Sequence, residues 1–414
     1  MLGRKLRLDQ ISAQLANKRV LMRVDFNVPI KNNRITDLNR IQSTLESINY
    51  IRQAGAKSLT LISHLGRPDG QANLKYSLAP LIPDLSRLLK TEVQFLPNCV
   101  GPDTEQACKD PKQGSVTLLE NLRFHLEEEG SVKKEDGSKV KASPDKVQAF
   151  RNSLSSLGDV FVNDAFGTAH RAHSSVVGIN LPLRAAGFLM AKELTYFSQA
   201  VENPKRPLLV ILGGAKIKDK IPLILNLMNL CDEMIIAGGM CFTFKKVLSG
   251  YGIGKSLFDK DSVENIPKIL EAAKNKGVKV HLPVDFWCGT GIDSVATPQL
   301  AGEEGIGSDL IGLDVGPESV KSFAEVIARA RTVVWNGPPG LFENKNYSKG
   351  SEGIYQAIIS HPNLTSIVGG GDTAAFVQSQ PHSSRISHIS TGGGASLELL
   401  EGKVLPGISA LSDS

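Results

Sequence analysis

The sequence predicts an α/β protein built from two doubly wound, parallel-sheet (Rossmann-like) domains. Three observations predict this class. Short apolar, β-branched runs recur along the 414 residues. Most are followed by Gly, Asn, Asp or Pro and then by a longer segment of helical period, the alternation expected of parallel sheets. The runs number about ten, too many for one ordinary sheet and suited to two.

In chain order the predicted strands are "RVLMRVDF", "SLTLIS", "SVTLLE", "DVFVND", "PLLVILGG", "EMIIAGG", "KVHLPVDF", "TVVWNG", "TSIVGGG" and "RISHIS". "SVENIPKILEAAKNKG" and "PESVKSFAEVIARAR" are amphipathic and read as helices of about four turns. "FLMAKELTYFSQAVENPKRP", from Phe188 to Pro207, reads as the seam, a helix stopped by Asn203-Pro204. The charge-rich stretch 127–146, "EEEGSVKKEDGSKVKASPDK", reads as a surface insertion.

Composition excludes several classes. The chain is 41% hydrophobic and 21% charged, ordinary for a globular protein. No apolar run approaches membrane-span length, and "MLGRKLRLDQIS" lacks the apolar core of a signal peptide. A net charge of +5 is too weak to argue for nucleic acid, and 6% aromatic residues offer few stacking platforms. The five cysteines include no Cys-x-x-Cys pair, which fits a reducing compartment.

In open α/β sheets ligands bind beyond the carboxyl ends of the strands, so the residues that follow the strands are the informative ones. In the first half these are Asp25 and Asn27, then His64 and Arg67, then Arg123, then His170 and Arg171, with Arg40 opening a helix. Donors dominate. On a common edge they would form a cationic cup for a compact anion, and arginine forks suit phosphate and carboxylate. Zinc is the alternative for His170 and His173, with Asp164 as third ligand, but Arg171 between them would repel a dication. A buried, hydrogen-bonded structural role is expected for His173.

In the second half the strand ends are glycine-rich: "ILGGAKIKDK", "IAGGM", "WNGPPG", "VGGGDTAA" and "STGGGAS". Glycine lets backbone N–H groups approach phosphate closely. Lys216 and Lys220, four apart, are expected on one helical face beside such a phosphate. Asp372 suits either Mg²⁺ on a nucleotide or a helix N-cap. Two motifs mislead. "GYGIGKS" fails as a P-loop because Ser249 stands where glycine is required, and "GGGDTA" lacks the acidic residue a dinucleotide fold wants about 20 positions on.

Taken in order, "RVDFNVP", "SHLGRP", "ENLRF", "NDAFGTAHRAHSS", "GGAKIKDK", "AGGMCFTF", "VWNGPPGLFE", "GGGDTAAF" and "STGGGASLELLEGKVLPG" resemble the phosphoglycerate kinase family. Ala237 and Cys241 stand where glycine and alanine are usual. The resemblance implies a cytoplasmic, glycolytic, hinge-bending monomer, its domains joined by a hinge helix. One domain would span 1–187 plus 405–414 and bind phosphoglycerate, and 188–404 would bind nucleotide. Phosphate would pass reversibly between 1,3-bisphosphoglycerate and MgADP, giving 3-phosphoglycerate and MgATP, with no membrane or nucleic-acid partner. Asp25, Asn27, Arg40, His64, Arg67, Arg123, His170 and Arg171 would hold the glycerate. Gly213, Gly214, Lys216, Lys220, Gly238, Gly239, Leu313, Asn336, Pro338, Glu343, Gly371 and Thr373 would hold the nucleotide, with Glu343 on its ribose. Asp372 would meet the metal-bound phosphates, and Gly392, Gly393 and Gly394 would frame the transfer site. Arg40 and Lys216 would meet the transferring group.

Overall fold

The computed structural model describes residues 2–133, 136–293 and 296–414. Contacts divide the chain into two compact units, Met1–Thr195 with Val404–Ser414, and Tyr196–Lys403. The division falls inside the helix Phe188–Val201.

The first unit is built on six strands: β1 (Arg19–Arg23), β2 (Ser58–Ile62), β3 (Val93–Leu96), β4 (Ser115–Leu119), β5 (Val160–Asn163) and β6 (Leu183–Ala186). Their order across the sheet is β6-β5-β1-β2-β4-β3, and every pairing is parallel. Alternation along β1 places Val20 and Met22 in one core cluster and Leu21 in another. Helices Leu45–Gln53 and Ile82–Leu89 supply Ile48, Ile51, Leu85 and Leu89 to the first cluster. Helix Pro144–Ser156 supplies Phe150 and Leu154 to the second. A sheet covered on both faces needs the nearly continuous apolar runs seen in the sequence. The C-terminal segment returns to this unit, where Ser412 N donates to Arg184 O at 2.9 Å and Gly407 N to Ala169 O at 2.8 Å.

The second unit repeats the plan with β7 (Leu208–Leu212), β8 (Glu233–Ile236), β9 (Lys279–His281), β10 (Thr332–Asn336), β11 (Thr365–Gly369) and β12 (His388–Ile389). The order is β9-β8-β7-β10-β11-β12, again all parallel. Helices Pro317–Arg329 and Lys349–Ser360 pack Phe323, Ile327, Ile354 and Ile358 against Leu209, Ile211, Val333 and Trp335.

The structure corrects four sequence expectations. "KVHLPVDF" is two strands: β9 ends at His281, and Phe286–Gly289 pairs antiparallel with Gln299–Ala301 and Ile311–Val315 in a separate three-stranded sheet. Pro283 falls between them, and proline cannot donate to a central ladder. The strands Val93–Leu96 and Leu183–Ala186 carried too little β-branched character to be foreseen. The two amphipathic helices, Asn265–Lys276 and Pro317–Arg329, have 12 and 13 residues and so fall short of four turns. The 127–146 stretch is a surface element only in part. Its strands Ser131–Lys133 and Lys139–Lys141 form an exposed hairpin, with residues 134 and 135 outside the described residues, but Glu128 is 1% exposed.

Candidate functional site

Because the six strands of the first unit's main sheet are all parallel, their carboxyl ends share one edge, and Asp25, His64, Arg123 and His170 follow four of those ends. Local backbone bonds fix the loops. Asp25 Oδ1 accepts from Asn27 N at 3.2 Å, and Asn27 Oδ1 accepts from Gly66 N at 2.9 Å, tying the loops after β1 and β2 together. Arg123 Nη1 donates to Gly66 O at 2.8 Å and brings in the loop after β4. Arg40, on the short helix Asn39–Gln42, donates to Asp25 Oδ2. His64 Nδ1 lies 4.0 Å from Asp25 Oδ1. Arg67 and Arg123 both act on Glu129, and His170 and Arg171 both act on His173. Asp25, Asn27, Arg40, His64 and Arg123 are therefore joined by contacts, and Arg67, His170 and Arg171 are joined to them by their electrostatic effect on Glu129 and His173.

The electrostatics suit an anion. His64 is held well below the ordinary imidazole range by burial and by Arg23, Arg123, His173 and Arg40. Burial and Arg123, Arg23, Arg171 and His170 push His173 down to about 3. His173 is buried, as expected, but its Nδ1 lacks a hydrogen bond and lies 3.9 Å from Glu128 Oε1, so the expected hydrogen-bonded role does not hold at that atom. No group of three or more metal-ligating side chains occurs among the described residues. Asp164 instead accepts from Met190 N at 3.0 Å at the start of the helix Phe188–Val201.

Sequence reasoning missed the layer beneath this cup. Arg23, Glu128 and Ser175 are buried. Arg23 Nε donates to Ser175 Oγ at 2.9 Å, and Ser175 Oγ donates to Glu128 Oε1 at 2.6 Å. The available signal was Arg23 itself, a charge set between Met22 and Val24 at the end of β1.

In the second unit the glycine-rich ends of β7, β8 and β10 meet backbone to backbone. A Cβ on Gly213 would lie 2.1 Å from Pro338 O, one on Gly238 would lie 2.5 Å from Gly214 N, and one on Gly337 would lie 2.3 Å from Gly213 O. Only glycine permits this approach. Beside it opens a pocket of about 310 Å³ lined by Gly214, Gly238, Gly239, Leu313, Pro338 and Glu343, all predicted. Phe242, Leu257, Phe286 and Ile311, not predicted, supply its apolar walls. Asp314, also unforeseen, is buried against it and pushed up to about 7 by desolvation, accepting from Val315 N at 2.9 Å and Gly350 N at 2.7 Å.

Lys220 Nζ donates to Asn336 Oδ1 at 2.8 Å and Asn336 O at 3.2 Å. Burial pushes Lys220 down to about 8, against an upward pull from Asp372. Lys216 and Lys220 do not share a helical face. Lys216 is in the exposed loop, and Lys220 ends a 3₁₀ turn, Lys218–Lys220, before the helix Ile221–Met228. Asp372 is not an N-cap either. Gly370 caps the helix Gly371–Ser379, and Asp372 lies exposed in its first turn. Thr373 Oγ1 accepts from Gly337 N at 2.7 Å, linking β11 to β10. Gly392, Gly393 and Gly394 form the turn after β12 into the helix Gly394–Leu400, with Gly392 N donating to Ser390 Oγ at 3.1 Å.

A family model described as phosphoglycerate kinase matches residues 8–403. The phosphoglycerate kinase of Sterkiella nova is 54% identical over 418 aligned positions, covering 100% of both chains. Phosphoglycerate kinase 1 of Homo sapiens is 53% identical over 416 positions, covering 100% of this chain and 99% of its own. Among solved structures, phosphoglycerate kinase from Coxiella burnetii superposes with a TM-score of 0.87 at 35% identity over 98% of each chain. That from Pyrococcus horikoshii gives 0.78 at 30% identity, again over 98% of each.

Proposed function

The chain belongs to the phosphoglycerate kinase family, and from that premise we propose how its residues divide the transfer of a phosphoryl group between 1,3-bisphosphoglycerate and MgADP. It is a glycolytic phosphotransferase. The observation that carries the division is the contrast between the two strand edges. One gathers cations and neutral donors, and the other gathers glycine backbone and an apolar pocket. The first suits the phosphate and carboxylate of a phosphoglycerate, and the second suits a nucleoside with its phosphates.

Asp25, Asn27, Arg40, His64, Arg67, Arg123, His170 and Arg171 hold the glycerate. Leu313, Pro338 and Glu343 line the nucleoside pocket. Gly238, Gly239 and Asn336 line it with them, and the backbone at Gly213 and Gly214, with Lys220, Gly371 and Thr373, takes the phosphates. Asp372 is a single exposed carboxylate. That donor set fits Mg²⁺ delivered with the nucleotide, an ion that keeps waters and phosphate oxygens and needs one or two protein carboxylates. The ion neutralises charge on the phosphates when bound.

In the ATP-forming direction a β-phosphate oxygen of ADP attacks the acyl phosphate. The carboxylate of 3-phosphoglycerate leaves with its electron pair, so no general base is required. The transition state is loose, and catalysis is mainly positioning and charge stabilisation. Arg40 and Lys216 meet the transferring group, and the turn Gly392–Gly394 frames it. With one ligand on each unit, hinge closure brings the reactants together and excludes water that would hydrolyse the acyl phosphate. Both ligand sets lie on one chain, which supports a monomer, and five buried free thiols support a reducing, cytoplasmic setting.

Two measurements test this. ATP formation from 1,3-bisphosphoglycerate and ADP should require Mg²⁺. By calorimetry Arg171→Ala should weaken 3-phosphoglycerate about tenfold to hundredfold, the cost of a charge-assisted contact, and leave ADP unchanged. Equal weakening of both ligands would make Arg171 structural and undo the assignment.

A further inference from the structure

His64 is buried between groups that make opposite demands on its Nδ1. Arg23 Nη2 lies 3.2 Å from His64 Nδ1. Asp25 Oδ1 lies 4.0 Å from the same nitrogen. Arg123, His173 and Arg40 add positive potential around the ring. Arg23 is 0% exposed, and each of its three nitrogens has a partner. Nε donates to Ser175 Oγ at 2.9 Å, Nη1 donates to Val24 O, and Nη2 faces His64. Glu128 balances the charge, accepting from Ser175 N at 2.9 Å and Ser175 Oγ at 2.6 Å.

A guanidinium has no acceptor and does not lose its proton. The contact to Nδ1 is therefore a hydrogen bond only if Nδ1 carries a lone pair, and a neutral imidazole then carries its proton on Nε2. Asp25 favours the opposite form, with the proton on Nδ1. We propose that Arg23 is a positioning residue that locks His64 as the neutral Nε2–H tautomer. This rests on the reading of His64 as part of the glycerate site. In that site the lock supplies a donor to the anion that is the same throughout the physiological pH range, where an ordinary histidine would titrate. Sequence gives no hint of it, since Arg23 and His64 are brought together only by the pairing of β1 with β2.

The test is a two-bond ¹H–¹⁵N correlation spectrum of histidine-labelled, ligand-free protein between about pH 5.5 and 8. The His64 signals are identified by their loss in His64→Gln. The expected result is an Nε2–H pattern that does not change with pH. An Nδ1–H pattern or an imidazolium at pH 7 overturns the proposal, whether or not Arg23→Lys folds. Arg23→Lys keeps a buried cation opposite Glu128 but cannot span Ser175 and His64 together. It should mix the tautomers or let His64 titrate, raise the Kd for 3-phosphoglycerate about tenfold, and leave the Kd for ADP unchanged. An unaltered His64 spectrum in Arg23→Lys counts against the lock. An Nε2–H pattern with unchanged 3-phosphoglycerate affinity in His64→Gln upholds the tautomer and removes His64 from the glycerate site instead.

Discussion

Lys220 should take up a proton when nucleotide binds. In the free protein its ammonium is desolvated, and among the described residues it donates to Asn336 Oδ1 and Asn336 O, at 2.8 and 3.2 Å. Two neutral acceptors do not replace water, and the lysine falls from 10.5 to about 8. That shift corresponds to about 3 kcal/mol of cost for holding the charge there. Stability of the free protein should therefore rise as pH climbs from about 8 toward 10.5, where the unfolded chain binds the extra proton and the folded one does not. A phosphate beside Lys220 reverses the cost and raises its pKa. The unprotonated fraction before binding is about 0.1 at pH 7, about 0.5 at pH 8 and about 0.9 at pH 9, and uptake on binding should follow it. Accordingly, ADP affinity should weaken above pH 8, by up to about tenfold per unit. Calorimetry of ADP binding in buffers of different ionisation enthalpy measures the uptake directly. A flat uptake near zero from pH 7 to 9, or an uptake that persists in Lys220→Met, would refute the assignment of Lys220 to the phosphates.

Gly213→Ala must push neighbouring loops apart, because its Cβ would sit 2.1 Å from Pro338 O and 2.4 Å from Gly337 O. Thermal unfolding should show a loss of about 1–3 kcal/mol, while Gly371→Ala, with nothing within 4 Å, should leave stability unchanged. Glu128→Ala leaves the buried Arg23 guanidinium with Asp25 as its remaining nearby carboxylate, and urea unfolding should show a loss of about 3 kcal/mol. Lys139→Glu on the exposed hairpin should stay within about 0.5 kcal/mol of the parent. Lys216→Ala should lower kcat about 10²–10³-fold, and steady-state kinetics within about threefold of the parent would remove it from the transfer step.

Period and punctuation in the sequence determined the fold class, because a strand buried on both faces must be apolar throughout and a crossover helix must be amphipathic. Once the sheets are parallel, chemistry at strand ends follows, since every carboxyl end lies on one edge. That is why Asp25, His64, Arg123 and His170 were legible as a group, and why the glycine-rich ends of β7, β8 and β10 were legible as a place where backbone can approach phosphate, whereas the packing of Gly213, Gly238 and Gly337 on one another came only from the structure. Only the tertiary structure decided which charges lose water. Nothing local separates Glu128 from Glu127 in an acidic run, yet Glu128 alone of the two is buried, held by Ser175, 47 residues away. Nothing local separates Lys220 from Lys216, yet only Lys220 meets Asn336, 116 residues away, and is pushed down to about 8. Desolvation is set by what the rest of the chain packs over a group. A sequence states that a residue can be charged, and its folded surroundings settle whether that charge is screened, paired or held at a cost.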